Sequence, residues 1–280
     1  MANTNQEKKA ELFQDMHRSE GMFVIPNSWD AGSAYIYEKE GFDCVATSSA
    51  GVAYALGYPD GEDITLDDLV QVVSNTVRRV DIPVSADFER GYAEDPEEVK
   101  ENARRLLEAG AVGFNIEDGV PEADKEHKLS PMSLQLAKLE ALVDLKKETG
   151  INFVINARTC AYWLHVGTPD EMMKIAIERG NAFAKAGADC VFVPGPMDEE
   201  TVKGLVSGIH APLNTILNGK FHDFDRLREI GVRRLSVGSG PVRYIADKVI
   251  GAARDLKAGK PETILSCTFN YGDANRYFEK

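Results

Sequence analysis

The sequence predicts an α/β protein of the (β/α)8, TIM-barrel type, and three observations carry that expectation. Short apolar runs alternate with helical patterns along the whole chain. The runs are continuous rather than alternating in polarity, which is what parallel strands covered on both faces require. One joint between a helix and the next strand recurs in Glu38–Asp43, Leu107–Val112, Ala184–Asp189 and Arg228–Arg233, each time containing a glycine (Gly41, Gly110, Gly187, Gly231). Glycine there ends a helix in the left-handed conformation without a Cβ clash. An open doubly wound sheet is the alternative, but eight units of this kind in a chain near the usual barrel length of about 250 residues favour closure.

The candidate strands are Met22–Pro26, Cys44–Ser48, Val84–Asp87, Gly113–Glu117, Phe153–Ala157, Cys190–Val193, Leu213–Leu217 and Arg234–Val237. Helix starts are legible between them. Asp30 precedes Ala31-Gly32-Ser33-Ala34, Thr65 precedes the acidic turn of Asp67 and Asp68, and Asp95-Pro96 and Thr168-Pro169 put proline at the first helical position. A polar helix over about residues 5–20 precedes the first strand, and a less regular tail covers about 260–280. No low-complexity linker interrupts the chain, so residues 1–280 read as a single barrel domain.

The chain has 280 residues, of which 43% are hydrophobic and 28% charged, enough apolar material for a full core. A net charge of −13 argues against nucleic acid and anionic membranes as partners, while local arginines still allow a small acidic substrate. No run approaches the ~18 apolar residues of a membrane span, and the polar N-terminus lacks a signal-peptide core. Cys44, Cys160, Cys190 and Cys267 show no CxxC spacing and read as free thiols of a cytoplasmic protein.

In such barrels the chemistry sits at the C-terminal ends of the strands. Asp87, Glu89 and Glu117 collect there on neighbouring strands, a hard-oxygen set that suits Mg²⁺, or Mn²⁺ in its place, better than zinc. Thr47-Ser48-Ser49-Ala50-Gly51 can offer a hydroxyl and successive N–H groups to an oxyanion. Arg158 leaves the apolar run Phe153–Asn156 and suits a carboxylate, of protein or of substrate. His17, His165, His210 and His222 have no partner at motif spacing and read as surface or cap residues; Trp29 reads as packing and Asp30 as an N-cap.

Taken in order, Asn27-x-Trp29-Asp30, Thr47-Ser48-Ser49-Ala50-Gly51, Gly57-Tyr58-Pro59-Asp60-Gly61, Asp87-x-Glu89-x-Gly91-Tyr92, Asn115-Ile116-Glu117-Asp118 and Asn156-Ala157-Arg158-Thr159 resemble the isocitrate lyase/phosphoenolpyruvate mutase superfamily. The resemblance runs from about Asn27 to Arg243. It implies Asp87 as principal metal ligand, with Asp60, Glu89 and Glu117 holding the metal directly or through water. It implies Ser48 and the backbone of Ser49 and Ala50 on the substrate oxygens, Arg158 on the substrate, and Asn214 and Arg243 as further substrate contacts. It also implies a pyruvyl enolate intermediate and a homo-oligomer, dimer or tetramer, that exchanges a terminal helix.

Two features depart from the family pattern. The gate loop after the fourth strand, Gly119–Ser130, lacks the Lys-Lys/Arg-Cys-Gly-His motif of the isocitrate and methylisocitrate lyases and holds no cysteine. Glu89 and Arg90 stand where an aspartate and a small residue are usual. The expectation is a Mg²⁺-dependent lyase or decarboxylase that cleaves a C–C bond of a small 2-oxo or 2-hydroxy di- or tricarboxylic acid. Its proton donor would be water, Tyr58 or His127. A C–P bond enzyme and a non-catalytic binder of 2-oxo acids are the alternatives.

Overall fold

The computed structural model describes residues 4–120 and 128–279. The chain opens with α1 (Thr4–Arg18), then β1 (Phe23–Ile25), β2 (Asn27–Ser28), α2 (Ala31–Lys39), β3 (Val45–Thr47), α3 (Ser49–Leu56) and α4 (Leu66–Arg79). It continues through β4 (Val84–Asp87), α5 (Pro96–Glu108), β5 (Gly113–Glu117), α6 (Met132–Thr149), β6 (Val154–Arg158) and α7 (Pro169–Lys185). Then come β7 (Cys190–Phe192), α8 (Glu199–Gly208), β8 (Leu213–Ile216), α9 (Phe224–Ile230), β9 (Arg234–Ser236), α10 (Gly240–Lys257), α11 (Glu262–Leu265) and α12 (Tyr271–Tyr277).

Every strand pairing is parallel, and the order β1-β9-β8-β7-β6-β5-β4-β3-β2 closes on itself, because β1 and β2 are one strand divided at Pro26. β1 pairs with β9 and β2 pairs with β3. Proline has no N–H to give to a ladder, so at Pro26 the strand changes from one neighbour to the other; the Pro26 carbonyl still accepts from Ala46 N–H at 3.0 Å. Asn27 fastens the seam: its Oδ1 accepts from Val237 N–H and Gly238 N–H at 2.9 and 2.7 Å, and its Nδ2 donates to the Thr47 carbonyl at 2.9 Å. The result is the (β/α)8 barrel, with eight strands in the sense that counts β1 and β2 once.

The glycine joints do what the sequence asked of them: Gly41, Gly110, Gly187 and Gly231 have φ of 88°, 101°, 105° and 104°. Asp30, Thr65, Asp95 and Thr168 cap α2, α4, α5 and α7 through their side chains. Phe88, Phe114, Phe153 and Phe183 are fully buried between the strands and the helices around them. The tail after Lys260 holds the short helices α11 and α12, and its end returns to α2, where Phe278 stacks on Tyr35 at 5.8 Å.

α1 closes the N-terminal end of the barrel. Ala10, Phe13, Gln14 and His17 form its buried face, at the i, i+3, i+4, i+7 spacing of one helical stripe. Phe13 lies so close under β5 that a Cβ on Gly113 would stand 2.7 Å from its ring. His17 is therefore not the surface residue its sequence context suggested. It is buried, donates from Nδ1 to the Phe13 carbonyl at 2.7 Å, and presents Nε2 to Arg234 Nη1 at 3.4 Å.

Burial, with Arg234 beside it, lowers the His17 pKa to about 3. Below the ordinary value of 6.5 the unfolded chain binds a proton that the folded chain refuses, so stability is full above about pH 6.5 and falls as the pH drops toward 3. The expected slope from this residue is up to ~1.4 kcal/mol per pH unit in that window. Urea unfolding at several pH values should show the acid slope reduced by that amount in His17→Gln. An unchanged slope would mean that His17 is not held neutral.

Candidate active site

Asp87 ends β4 with its side chain in the mouth of the barrel. Its Oδ2 accepts from Ser49 N–H at 3.0 Å, and its N–H donates to Thr47 Oγ1 at 2.8 Å. Its Oδ1 is buried and has no partner among the described residues. A buried carboxylate oxygen left open costs free energy unless something positive meets it. Asp87 is thus fixed by one oxygen and free to bind through the other.

Carboxylates crowd around it. Burial, and then Asp87, Glu62, Asp60 and Glu117, push the Glu89 carboxyl up to about 9. Burial and Asp87 also raise Asp60, against the pull of the Ser49 hydroxyl and Arg158. Burial raises Glu117, Asp87 adds to the rise, and Arg158 opposes it. Two arginines answer these carboxylates: Arg90 pairs with Glu62 and Arg158 with Glu117, each at 2.8 Å. Asp60, Asp87 and Glu89 stay without a cation among the described ion pairs. This is the donor set of a hard divalent cation. Among the described residues no three carboxylates converge closely enough to hold an ion unaided. The residue that fits a hard cation best is Asp87, through its open Oδ1.

The loop after β4 is shaped for this task. Glu89 and Tyr92 have φ of 47° and 54°, a left-handed backbone that costs of order 1–3 kcal/mol per non-glycine residue. Side chains from three directions hold it. Glu62 accepts from Arg90 N–H and Nη2 at 2.9 and 2.8 Å, Lys138 donates to the Arg90 and Ala93 carbonyls at 2.9 and 2.8 Å, and Tyr92 OH donates to Glu89 Oε1 at 3.3 Å. Arg90, the departure noted in the sequence, is thus a brace for the loop.

Beside Asp87, α3 points its N-terminus at the same mouth. Ser48 caps it, with Oγ accepting from Gly51 N–H at 3.2 Å. Gly51 is needed for this approach, because a Cβ would stand 3.2 Å from the Cβ atoms of both Ser48 and Trp29. The Ser48 hydroxyl proton stays available to a ligand, and Asp87 occupies the Ser49 N–H, so the Ala50 N–H is the next free donor of the helix end.

Arg158 ends β6 beside Glu117, its register partner on β5. One Nη serves Glu117, while its buried Nε has no partner among the described residues, so part of the fork is uncommitted. Trp163 and Phe192 lie against the guanidinium, each ring 5.7 Å from it. Behind this pair, Asp118 is fully buried and accepts from Arg179 Nε at 2.6 Å and Cys160 N–H at 2.7 Å. Ser130 joins the same hub, donating its N–H to the Asp118 carbonyl and accepting from Arg179 Nη2, each at 2.8 Å. Asp118–Arg179 therefore ties the ends of β5 and β6 to the foot of the 118–130 segment.

The pocket formed by these groups encloses about 60 Å³. Ser48, Ser49, Ala50, Asp60, Asp87 and Arg158 line it as expected. Asn27, Asn115, Ser236 and Ser239 join them, and Trp163, Phe192, Pro194 and Ile216 supply an apolar wall. Glu89 and Glu117 stand just behind Asp87 and Arg158 rather than in the lining.

Three expected site residues stand elsewhere. Tyr58 is half exposed on the turn after α3 and does not line the pocket, because the helix carries it away from the barrel mouth. Arg243 sits on the exposed side of α10, with Nε bonded to Ser239 Oγ at 3.3 Å, since the helix begins by turning out over the rim. Asn214 is buried one layer down, accepting from Ser236 Oγ at 3.1 Å. His127 lies outside the described residues.

A larger concavity of about 660 Å³ opens on the outside of the barrel between α2 and α10, lined by Ile36, Tyr37, Leu217, Tyr244 and their neighbours. It has none of the carboxylates just described, apart from the capping Asp30, and it is not where the chemistry is assembled.

The family model for phosphoenolpyruvate phosphomutase matches residues 13–257. The chain belongs to the phosphoenolpyruvate phosphomutase family. This agrees with the superfamily that its ordered motifs resemble. An uncharacterised protein of Mycobacterium tuberculosis (strain ATCC 25618 / H37Rv) is 34% identical over 89% of this chain and 90% of its own length. Oxaloacetate decarboxylase of Rhodopseudomonas palustris is 30% identical over 85% of this chain and 81% of that protein. A crystal structure from Burkholderia cenocepacia J2315, assigned as a lyase or mutase, superposes with a TM-score of 0.90 at 32% identity and covers 99% of this chain and 98% of that one. In this chain Asp87 and Glu117 stand at the C-terminal ends of β4 and β5, where barrel enzymes work.

Proposed function

We propose that this member of the phosphoenolpyruvate phosphomutase family is a divalent-metal-dependent lyase or decarboxylase that breaks the C–C bond between C3 and its leaving group in a small 2-oxo or 2-hydroxy di- or tricarboxylic acid, through a pyruvyl enolate. The observation that carries the reading is the open Asp87 oxygen, set among carboxylates in the pocket that the N-terminal end of α3 also lines. Asp87 would hold Mg²⁺ or Mn²⁺, with Asp60, Glu89 and Glu117 reaching it through water. When bound, the ion supplies Lewis-acid stabilisation of negative charge on the substrate's C2 oxygen. The Ser48 hydroxyl and the Ala50 N–H face that oxygen, and such donors contribute about 2.7–4 kcal/mol each to a transition state. The uncommitted part of Arg158 takes a substrate carboxylate. Trp163, Phe192 and Pro194 keep water from the breaking bond. The proton returned to C3 comes from solvent water or from the segment carrying His127.

Arg158 is the lining's one cation among the described residues. The likeness to oxaloacetate decarboxylase of Rhodopseudomonas palustris, over 85% of this chain, favours C–C cleavage over C–P chemistry. The test is a panel of 2-oxo and 2-hydroxy acids with Mg²⁺, read for pyruvate, CO₂ and phosphate. Small acids such as oxaloacetate should be turned over. Isocitrate and 2-methylisocitrate should fall below the ordinary kcat/KM range of ~10⁴ M⁻¹s⁻¹, because the gate loop has no cysteine and the lining has one arginine. Phosphate release from a phosphonate, with no C–C cleavage of any acid, would overturn the reading.

Arg158→Lys is expected to lose roughly ten- to hundredfold in kcat/KM, the worth of one charge-assisted hydrogen bond of about 1.5–3 kcal/mol. Lysine keeps the charge but cannot serve Glu117 and a substrate carboxylate from one planar fork. Steady-state kinetics with a melt of the ligand-free protein checks it. A large fall in melting temperature with substrate affinity intact would assign Arg158 to bracing Glu117 alone.

The same reading includes a homo-oligomer that exchanges a terminal helix, and α10 is the candidate for a contact between subunits. Ile245, Val249 and Leu256 fall along one side of that helix and are 45%, 61% and 52% exposed, and the 660 Å³ groove beside it is apolar. Light scattering should show a dimer or tetramer; a monomer at micromolar concentration would remove this part of the reading. Among the described residues no helix is long and apolar enough to cross a membrane.

A further inference from the structure

Arg234 is the largest fully buried side chain among the described residues. It enters the barrel from the start of β9 and reaches Asn115 on β5, the strand diametrically opposite in the closed ring. Its surroundings are unusual for a cation. Among the described residues no carboxylate lies within ion-pair distance. Nη1 meets the neutral His17 Nε2 at 3.4 Å, Nη2 meets Asn115 Oδ1 at 3.3 Å, Nε has no partner, and the ring of Phe13 lies 5.7 Å away. A guanidinium cannot shed its proton to escape burial. An uncompensated buried charge costs several kcal/mol, and replacing it with an apolar side chain of similar volume is often neutral or stabilising. Arg234 is thus hard to explain as a stabilising residue of the floor.

Its effect on the layer above is specific. A guanidinium only donates, so it obliges Asn115 to turn its carbonyl oxygen down, and Asn156 Nδ2 donates to that same oxygen at 2.6 Å. The Asn115 NH₂ is then left for the pocket, which Asn115 lines together with Ser48, Asp87 and Arg158. No protein acceptor meets that NH₂ among the described residues. Asp87, at the pocket itself, is close enough for its charge to act on Arg234 through space.

We propose that Arg234 is a positioning residue of the site: it fixes the Asn115 carboxamide as a hydrogen-bond donor into the pocket and places a buried positive charge beneath a bound anion, an enolate or carboxylate oxygen. The inference rests on the lyase reading above, in which such an anion occupies the pocket. It adds a donor and a charge that come from the barrel axis rather than from the strand-end loops. Ground-state carboxylates and the enolate both gain from it, and the gain grows as negative charge gathers on the oxygen nearest Asn115.

The test uses the full chain with Mg²⁺ and oxalate, a planar dianion shaped like the pyruvyl enolate, read by calorimetric titration and by melts with and without ligand. Arg234→Met should melt at or above the wild-type temperature without ligand and bind oxalate about tenfold or more weakly. Arg234→Lys should recover part of that affinity. Asn115→Asp gives Arg234 the counter-ion it lacks and removes the donor. It should therefore also raise the ligand-free melt and weaken oxalate, and it serves if Arg234→Met does not fold. A ligand-free melt lowered by more than about 5 °C in Arg234→Met, with oxalate affinity unchanged, would overturn the proposal and make Arg234 a structural brace. Wild type that binds no oxalate with Mg²⁺ would overturn the lyase reading itself, and the inference with it. Wild type that binds, with all three variants binding equally well, would overturn the inference and leave the lyase reading standing.

Discussion

Asp87→Ala is expected to lose metal-dependent turnover by roughly a thousandfold or more, the several kcal/mol that a Lewis acid contributes to a charged transition state, while remaining folded. The folded state should not suffer, because the replacement removes a buried oxygen with no partner and the largest charge contribution to the raised Glu89 carboxyl. What is lost is a hydrogen bond from Ser49 N–H, at the half-buried end of α3 beside the pocket, where water can take the place of the carboxylate. Calorimetric titration with Mg²⁺ should show binding abolished, and the melting temperature should be equal to wild type or higher. Full activity in the variant, or in wild type treated with a chelator, would sink the metal assignment.

Asp118→Ala is expected to destabilise the protein by about 3–5 kcal/mol, because it leaves the Arg179 guanidinium buried without its partner. It also strands Cys160 N–H, which donates to Asp118 Oδ1 at 2.7 Å. For a chain of this size the melting temperature should fall by roughly 10 °C. The double variant Asp118→Leu/Arg179→Met should recover most of the loss, since removing both charges also removes the desolvation they suffer. Denaturant unfolding of the two variants decides it. A single variant as stable as wild type would mean that the pair does not hold β5, β6 and the foot of the 118–130 segment together.

The barrel was legible because its signals are local. Continuous apolar runs, Asp and Thr caps and the glycine joints each act over a few residues, and the strands fell within one or two residues of the positions read from sequence. The division of the first strand at Pro26 was missed, since which neighbour a strand pairs with on either side of a proline depends on closure of the whole ring. The strand-end carboxylates and the Ser48–Gly51 turn were legible for the same local reason. That Arg243 and Tyr58 stand outside the pocket lining was not legible, because the direction in which a helix leaves the rim is set by packing.

His17 and Arg234 went unread for a different reason. A lone polar residue in a polar helix looks like surface, although the spacing of Ala10, Phe13, Gln14 and His17 was the signal of a buried stripe. Arg234 follows another arginine at the start of a strand, and only the closed barrel turns one of the two inward. Asn115 and Asn156 sit mid-strand, where a sequence cannot tell which face is the barrel axis. Trp163 belongs to a loop whose course over the pocket is likewise a property of the assembled fold.

In the proposed reaction Asp87, Ser48, the end of α3 and Arg158 stabilise a pyruvyl enolate. The most direct measurement is proton NMR of pyruvate in deuterium oxide with Mg²⁺ and the protein, because exchange of the methyl protons reports enolate formation whatever the natural leaving group is. Loss of the methyl signal is expected well above the rate in buffer with Mg²⁺ alone, stopped by a chelator and absent in Asp87→Ala. Exchange no faster than in that buffer, with a protein shown to bind both pyruvate and Mg²⁺, would contradict it.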